Sequence, residues 1–336
     1  MKKILPVNKP PLTAYMNHAP ILSILSDNEK YLPWFFLNYI QMRVRDDGMD
    51  FYHFYTSHYS CPFFNTTYLS RQFLPKYIKH KNICDFFTHC IDDNYYIIAI
   101  IDTSFIELYS SSNRDAHPIF IYGYDKNNET FSVADFFNNG IFSFKNTSFL
   151  ELEFAYKNCD DRSYWMNGIH LLQRIEYIPK YTVSSIIDSL KKYLYGHETS
   201  IGYNQNIDEN SVFGLNVSYD RLLKEIQNYE SLRPYDNRLL PVFCAHKIVL
   251  KMLNEFLIKN DFSELVPLQL EYDYLYKQFI ILRNNILKSR LKNKIYDEDN
   301  ESQIYKLKNI EINLIQDTIN ILENEVKKAK TDRLLY

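Results

Sequence analysis

Two kinds of apolar spacing divide this chain, and the division limits its fold more than any other feature. Between about residues 50 and 180, β-branched and aromatic residues come in short runs: YYIIAIID (95–102), PIFIYGY (118–124), TFSVADF (130–136) and FLELEFAY (149–156). Runs of that length and composition read as strands of a mostly antiparallel sheet, and the polar DKNNE reads as a hairpin turn. From residue 217 onward, apolar residues recur every three or four positions, through 217–231, 238–260, 266–294 and 301–332. That is the period of amphipathic helices, and bundle core is its simplest use. Residues 19–45 also look helical, with Ile21, Leu22, Ile24 and Leu25 ahead of an aromatic segment after Pro33. DEDNES (297–302) reads as an exposed loop. The expectation is an α+β chain. An N-terminal helix and an antiparallel sheet form a first domain, residues 1–200, and a helical domain occupies 201–336, after a polar link at 196–210.

The bulk numbers mainly exclude. A net charge of -3 over 336 residues argues against nucleic acid as the main partner, because phosphate binding needs a basic surface. No uncharged apolar stretch reaches 18 residues, so no membrane span is expected. The apolar stretch after the opening lysines is too short for a signal peptide, which makes a cytoplasmic location the expectation. The five cysteines, Cys61, Cys84, Cys90, Cys159 and Cys244, are irregularly spaced and contain no CxxC pair. Neither a zinc ribbon nor a disulfide framework is indicated, and no cofactor or metal is expected. P-loop, GxGxxG, HExxH and GxSxG motifs are all missing from the sequence.

What remains is the hairpin. His117 opens its first run and Asp135 closes its second. Pairing about a turn near Asn127 and Asn128 brings Asp135 within a few residues of His117 across the ladder. The carboxylate can then accept the imidazole's Nδ1 proton and stabilise the imidazolium formed when the other nitrogen takes one. This is the base-and-orienter half of a nucleophile triad. Alone it is a weak signal, because a sheet-edge histidine bonded to any nearby acceptor leaves the same trace.

In papain-like enzymes the nucleophilic cysteine heads a helix upstream of the strand histidine, where helix-end N–H groups lower the thiol pKa and cradle an oxyanion. The helix start that fits is YMNHAPILSIL (15–25), and that position is Ala19. His18 and the aliphatics after it resemble the His-Cys-x-x-x-x-Leu opening of butirosin-type acyltransferases. The order of helix, strand histidine and hairpin aspartate is similar to that of double-glycine peptidases. FGLNVSYDRL (213–222) and the later helices resemble the C-terminal part of the acyltransferases. The chain thus resembles papain-like cysteine-protease homologues of thiotemplated biosynthesis, including amide synthases of the closthioamide type. One departure is Thr13, where such peptidases carry a glutamine that donates to the oxyanion.

The resemblance implies a papain-like core and an amide-forming acyltransferase of nonribosomal biosynthesis. Ala19, His117 and Asp135 would occupy the catalytic positions. The donor would be an acyl chain, such as a polythioamide, on the phosphopantetheine of an acyl or peptidyl carrier protein; the acceptor would be an amine or diamine. With cysteine at 19, the oxyanion would be held at least by the N–H of residue 19. Ala19 fits either an engineered Cys-to-Ala change or a natural pseudoenzyme, and retention of His117 and Asp135 favours the first. Cys61, near His58, is a weaker nucleophile candidate. The aromatic stretches 51–60 and 63–68 could wall a tunnel or simply be core, and Asp102, Asp115 or Asp125 could bind an ammonium group. A peptidase or amidase of the same fold, and a catalytically dead binding module, are the alternatives.

Overall fold

The computed structural model describes residues 1–45, 48–51, 61–72, 74, 82–109, 115–137, 140–160, 168–177, 180–197, 211–227, 239–291, 298–329 and 332–335. In chain order the strands are β1 (Lys2–Ile4), β2 (Met42–Arg45), β3 (Gly48–Phe51), β4 (Phe64–Leu69), β5 (Tyr95–Asp102), β6 (Ala116–Asp125), β7 (Thr130–Phe137) and β8 (Ile141–Ser148). They continue with β9 (Ile169–Arg174), β10 (Tyr181–Thr182), β11 (Val212–Phe213) and β12 (Leu334–Leu335). The α-helices are α1 (Ala19–Leu25), α2 (Leu32–Tyr39), α3 (Ile83–Asp92), α4 (Phe149–Lys157) and α5 (Val183–Tyr195). The C-terminal region adds α6 (Leu215–Gln227), α7 (Leu239–Lys259), α8 (Gln269–Leu291) and α9 (Glu298–Ala329). The protein is mixed α+β, with antiparallel sheets and a helical C-terminal region. Among the described residues no helix is long and apolar enough to cross a membrane.

Two compact units emerge: residues 1–28 with 55–177, and residues 29–54 with 178–336. The sequence reading placed a single boundary near 200. The second unit also takes in 29–54 and 178–200, because α2, β2 and β3 pack with the later helices.

The first unit is built on a seven-stranded sheet in the order β4-β9-β5-β6-β7-β8, with β1 added to β6. Every pairing in it is antiparallel. In the β6–β7 turn, Asp125 accepts the backbone N–H groups of Asn127 and Asn128, fixing the chain reversal locally. β1 pairs with Gly123–Asp125 of β6, beyond Ile121, the last β6 residue paired with β5. A Cβ on Gly123 would sit 2.9 Å from the Lys3 carbonyl oxygen and 3.0 Å from Ile4 Cα, so this close approach requires glycine. Helix α3 covers the sheet face that carries Tyr124 and Phe131: Phe87 meets Phe131 edge-on, and the Tyr124 hydroxyl donates to Asp92.

Three expectations about local structure are corrected. FLELEFAY is helix α4 rather than a strand: Ser148 and Glu151 form a reciprocal capping box, and Leu152, Ala155 and Tyr156 turn inward at helical spacing. Its alternating start suits either period, and the cap decides. The helical stretch from residue 19 stops at Tyr39, and MRVR is strand β2, where buried Met42 and Val44 alternate with half-buried arginines. DEDNES is largely the first turn of α9, with Asn300 buried.

In the second unit, β11-β2-β3 and β10–β12 are small sheets beside the helices. α5 is capped by Thr182, whose hydroxyl accepts the Ser185 N–H, and it ends at Gly196 with φ +70°. Phe36 of α2 packs on Phe256 of α7 at 5.4 Å between ring centroids.

Candidate functional site

His117 sits near the start of β6, opposite Ile101 of β5. Asp135 lies on β7, and the local register, Phe120 with Ala134 and Ile121 with Val133, places it opposite Ile119. His117 and Ile119 are two apart, so His117 and Asp135 share a sheet face. That outcome depends on an irregularity. From the turn, Asp125 pairs with Thr130, Tyr124 with Phe131 and Gly123 with Ser132. Carried on unbroken, that register would set Asp135 opposite Phe120, three residues from His117 and on the other face. The β-bulge between Ile121 and Gly123, with Tyr122 as the extra residue, corrects the parity.

Asp135 is fully buried and well supplied with donors. The Phe136 N–H donates to its Oδ1 at 2.6 Å, and the Tyr109 hydroxyl donates to its Oδ2. His117 Nε2 lies 3.2 Å from each carboxylate oxygen. Because an ionised carboxylate only accepts, Nε2 carries the hydrogen. The expected Nδ1 contact is therefore corrected: the ring presents Nε2 to the acid and leaves Nδ1 to act on a ligand. Among the described residues nothing hydrogen-bonds to Nδ1, and the His117 side chain is 32% exposed. Burial lowers the imidazole pKa, but the hydrogen bond and charge of Asp135, with the charge of Asp115, outweigh it and raise the pKa above its usual value. Such a group can take up a proton at Nδ1 and return it.

Tyr109 was not legible in the sequence. Its ring lies edge-on to His117, with centroids 6.2 Å apart, and 5.1 Å from Phe137. Burial and then the Asp135 charge push its pKa well above the ordinary tyrosine range, so it stays a donor.

Ala19 begins α1 within the same unit and is fully buried. Its N–H donates to the Tyr15 carbonyl at 3.1 Å, and its own carbonyl accepts the Ser23 hydroxyl. The expected role of this N–H as an oxyanion donor is corrected: a turn over residues 15–19 precedes the helix and already uses it. Arg174 holds the helix end, bonding the Ile24 carbonyl and Asp27, while the Tyr96 hydroxyl binds the Pro6 carbonyl in the lead-in. By strand alternation these two anchors belong to the sheet face opposite His117, so the structure brings His117 and Asp135 together but does not bring Ala19 to them. Thr13 lies exposed in the irregular segment before the helix.

All five cysteines are buried and none forms a disulfide, and burial pushes Cys61, Cys84 and Cys90 up to about 12 and Cys244 to about 11, so none of these four is an activated thiol. His58, the suggested base for Cys61, lies outside the described residues, as does most of the 51–60 aromatic stretch. Phe51 is core of the second unit, against Tyr39. Asp102 is committed to Ser104 and Asp125 to the hairpin turn, which leaves Asp115 as the exposed acid of the three. Among the described residues no group of three His, Cys, Asp or Glu gathers to hold a metal. Compared with known protein families and with curated proteins, the chain finds no match.

Proposed function

We propose that the first unit is a papain-like acyl-transfer scaffold whose base half is intact and whose nucleophile position, Ala19, carries no sulfur. The observation that supports this is the buried Asp135 holding half-exposed His117 through Nε2, with nothing among the described residues bonded to Nδ1. In acyl transfer on this scaffold, Nδ1 would take a thiol proton, and the thiolate would attack a carrier-bound acyl thioester and expel the phosphopantetheine thiol; a cysteine at 19 would have to meet the imidazole from a helix anchored on the opposite sheet face, and the experiment below tests that requirement. An amine would then attack the acyl-enzyme, giving an amide and returning the cysteine. The products would be an amide and free carrier thiol, with no ATP consumed. On this reading the chain would be an amide-forming acyltransferase of nonribosomal biosynthesis, with a carrier protein and an amine as partners. As written, the chain does not run the covalent step.

The test offers a simple acyl thioester and an amine to the given chain, to Ala19→Cys, and to Ala19→Cys with His117→Ala. Intact-mass spectrometry should find an acyl adduct and amide product in Ala19→Cys alone. An Ala19→Cys protein that folds but never acylates ends the proposal. A second reading, a binding module on the same scaffold, is favoured by the burial of Ala19 and its occupied N–H. It predicts thioester or amine binding by the given chain, seen by calorimetry, that His117→Ala leaves unchanged.

A further inference from the structure

We propose that Tyr109 is a positioning residue for the His117–Asp135 pair, sharing the Asp135 carboxylate with the imidazole and fixing which ring nitrogen stays open. The proposal rests on the geometry of the pair and not on acyl transfer, so it stands or falls separately from the reading above.

Tyr109 is held independently of Asp135. Its N–H donates to the Ile106 carbonyl at 3.1 Å, and the Thr103 N–H donates to the Asp115 carbonyl. The Asp102 carboxylate caps the short 3₁₀ turn at Ser104, and the Glu107 N–H donates to Glu151 of α4 at 3.0 Å. The turn that carries Tyr109 is thus fastened at four points before its hydroxyl reaches Asp135. A buried carboxylate needs a donor at each oxygen, and here they divide cleanly. Oδ1 takes the Phe136 N–H, Oδ2 takes the Tyr109 hydroxyl, and His117 Nε2 spans both. The Tyr109 ring, edge-on to the imidazole, also limits its rotation about the Cβ–Cγ bond. The charged groups that face His117 are Asp135 and, more distantly, Asp115; neither is neutralised by a change at position 109.

Removing the hydroxyl leaves the carboxylate charge more dependent on an imidazolium, so the protonated ring gains. Strengthening the donor does the opposite. The experiment follows His117 by NMR in histidine-labelled protein, with the resonance assigned by His117→Gln. Tyr109→Phe should raise the His117 midpoint by about half a pH unit or more, and admit some Nδ1–H tautomer at high pH. Site-specific 3-fluorotyrosine at 109, a stronger donor of nearly the same shape, should lower the midpoint and keep the Nε2–H tautomer. A tyrosine that merely fills space would not give opposite signs for these two changes. The proposal is overturned if both leave the midpoint and tautomer as in the unmodified chain, or move them the same way. Should Tyr109→Phe not fold, the fluorotyrosine shift alone decides.

Discussion

Each unit of this protein buries a carboxylate that accepts from tyrosine, and the two are finished in opposite ways. In the helical unit, Glu311 of α9 accepts the hydroxyls of Tyr193 and Tyr219, at 2.9 and 2.5 Å, and the Lys247 ammonium at 2.6 Å. Lys247 donates again to His246 Nδ1 at 3.2 Å, and His246 Nε2 donates to the Ile40 carbonyl at 2.7 Å. Phe243 and Phe279 close over the ammonium at 5.2 and 5.1 Å. Burial and the Lys247 charge hold His246 well below the ordinary imidazole pKa, so it is neutral and both ring nitrogens are used. Every polar atom there has a partner inside, and the cluster ties α5, α6, α7 and α9 together. In the sheet unit, Asp135 has the same tyrosine support, but its basic partner is part-exposed and one of its nitrogens has no hydrogen-bond partner among the described residues. A closed polar network specifies packing, whereas an open one can exchange a proton with a ligand.

Three changes probe that contrast, in falling order of expected effect. Lys247→Met should leave Glu311 buried without its cation and cost about 3–5 kcal/mol in denaturant unfolding, while Lys247→Met with Glu311→Leu should recover most of that loss. If the single change costs nothing, the cluster is not the closed structural network described. Deleting Tyr122 should close the bulge into a regular ladder while Ile121 stays opposite Val133 and Asp135 opposite Ile119. A loss of about 1–3 kcal/mol from forced repacking is expected, with the His117 midpoint kept. A fallen midpoint would mean that Tyr122 itself helps to hold the pair.

The smallest effect is the pH dependence. The folded pKa of His117 is raised, so its contribution to stability is complete below the unfolded value near 6.5 and fades as pH rises through the folded pKa. The given chain should therefore exceed His117→Gln in stability most at acid pH, with the gap closing above neutrality; Asp135→Asn should abolish the gap's pH dependence. His246 should show the opposite dependence: its folded pKa is held below the unfolded value near 6.5, so its contribution is complete above that value and is lost as pH falls.

Local chemistry explains what could be read early. The hairpin was legible because DKNNE is a turn whose aspartate bonds its own backbone, and because period-2 runs flank it. Helices from 215 onward were legible because a stripe every three or four residues needs no distant information. The edge strands β4 and β8 were missed because polar and apolar residues mix along them, and the interior strand β9 because His170, buried with Ile169 and Leu172, interrupts a short apolar run. α4 was misread because FLELEF satisfies two periods at once, and the Ser148–Glu151 cap breaks the tie.

By itself, then, the sequence determined the α+β character, the helical second half and the pairing of His117 with Asp135 across one turn. Only the tertiary structure decided that Tyr109 is chosen from 29 tyrosines to hold Asp135, that Ala19 is buried with its amide occupied, and that Lys247 meets Glu311 across 64 residues. The physical reason is range. Periodicity, caps and turns are settled by neighbours a few residues apart, whereas partners for a buried charge are chosen by whichever distant groups the packed core brings within hydrogen-bond reach.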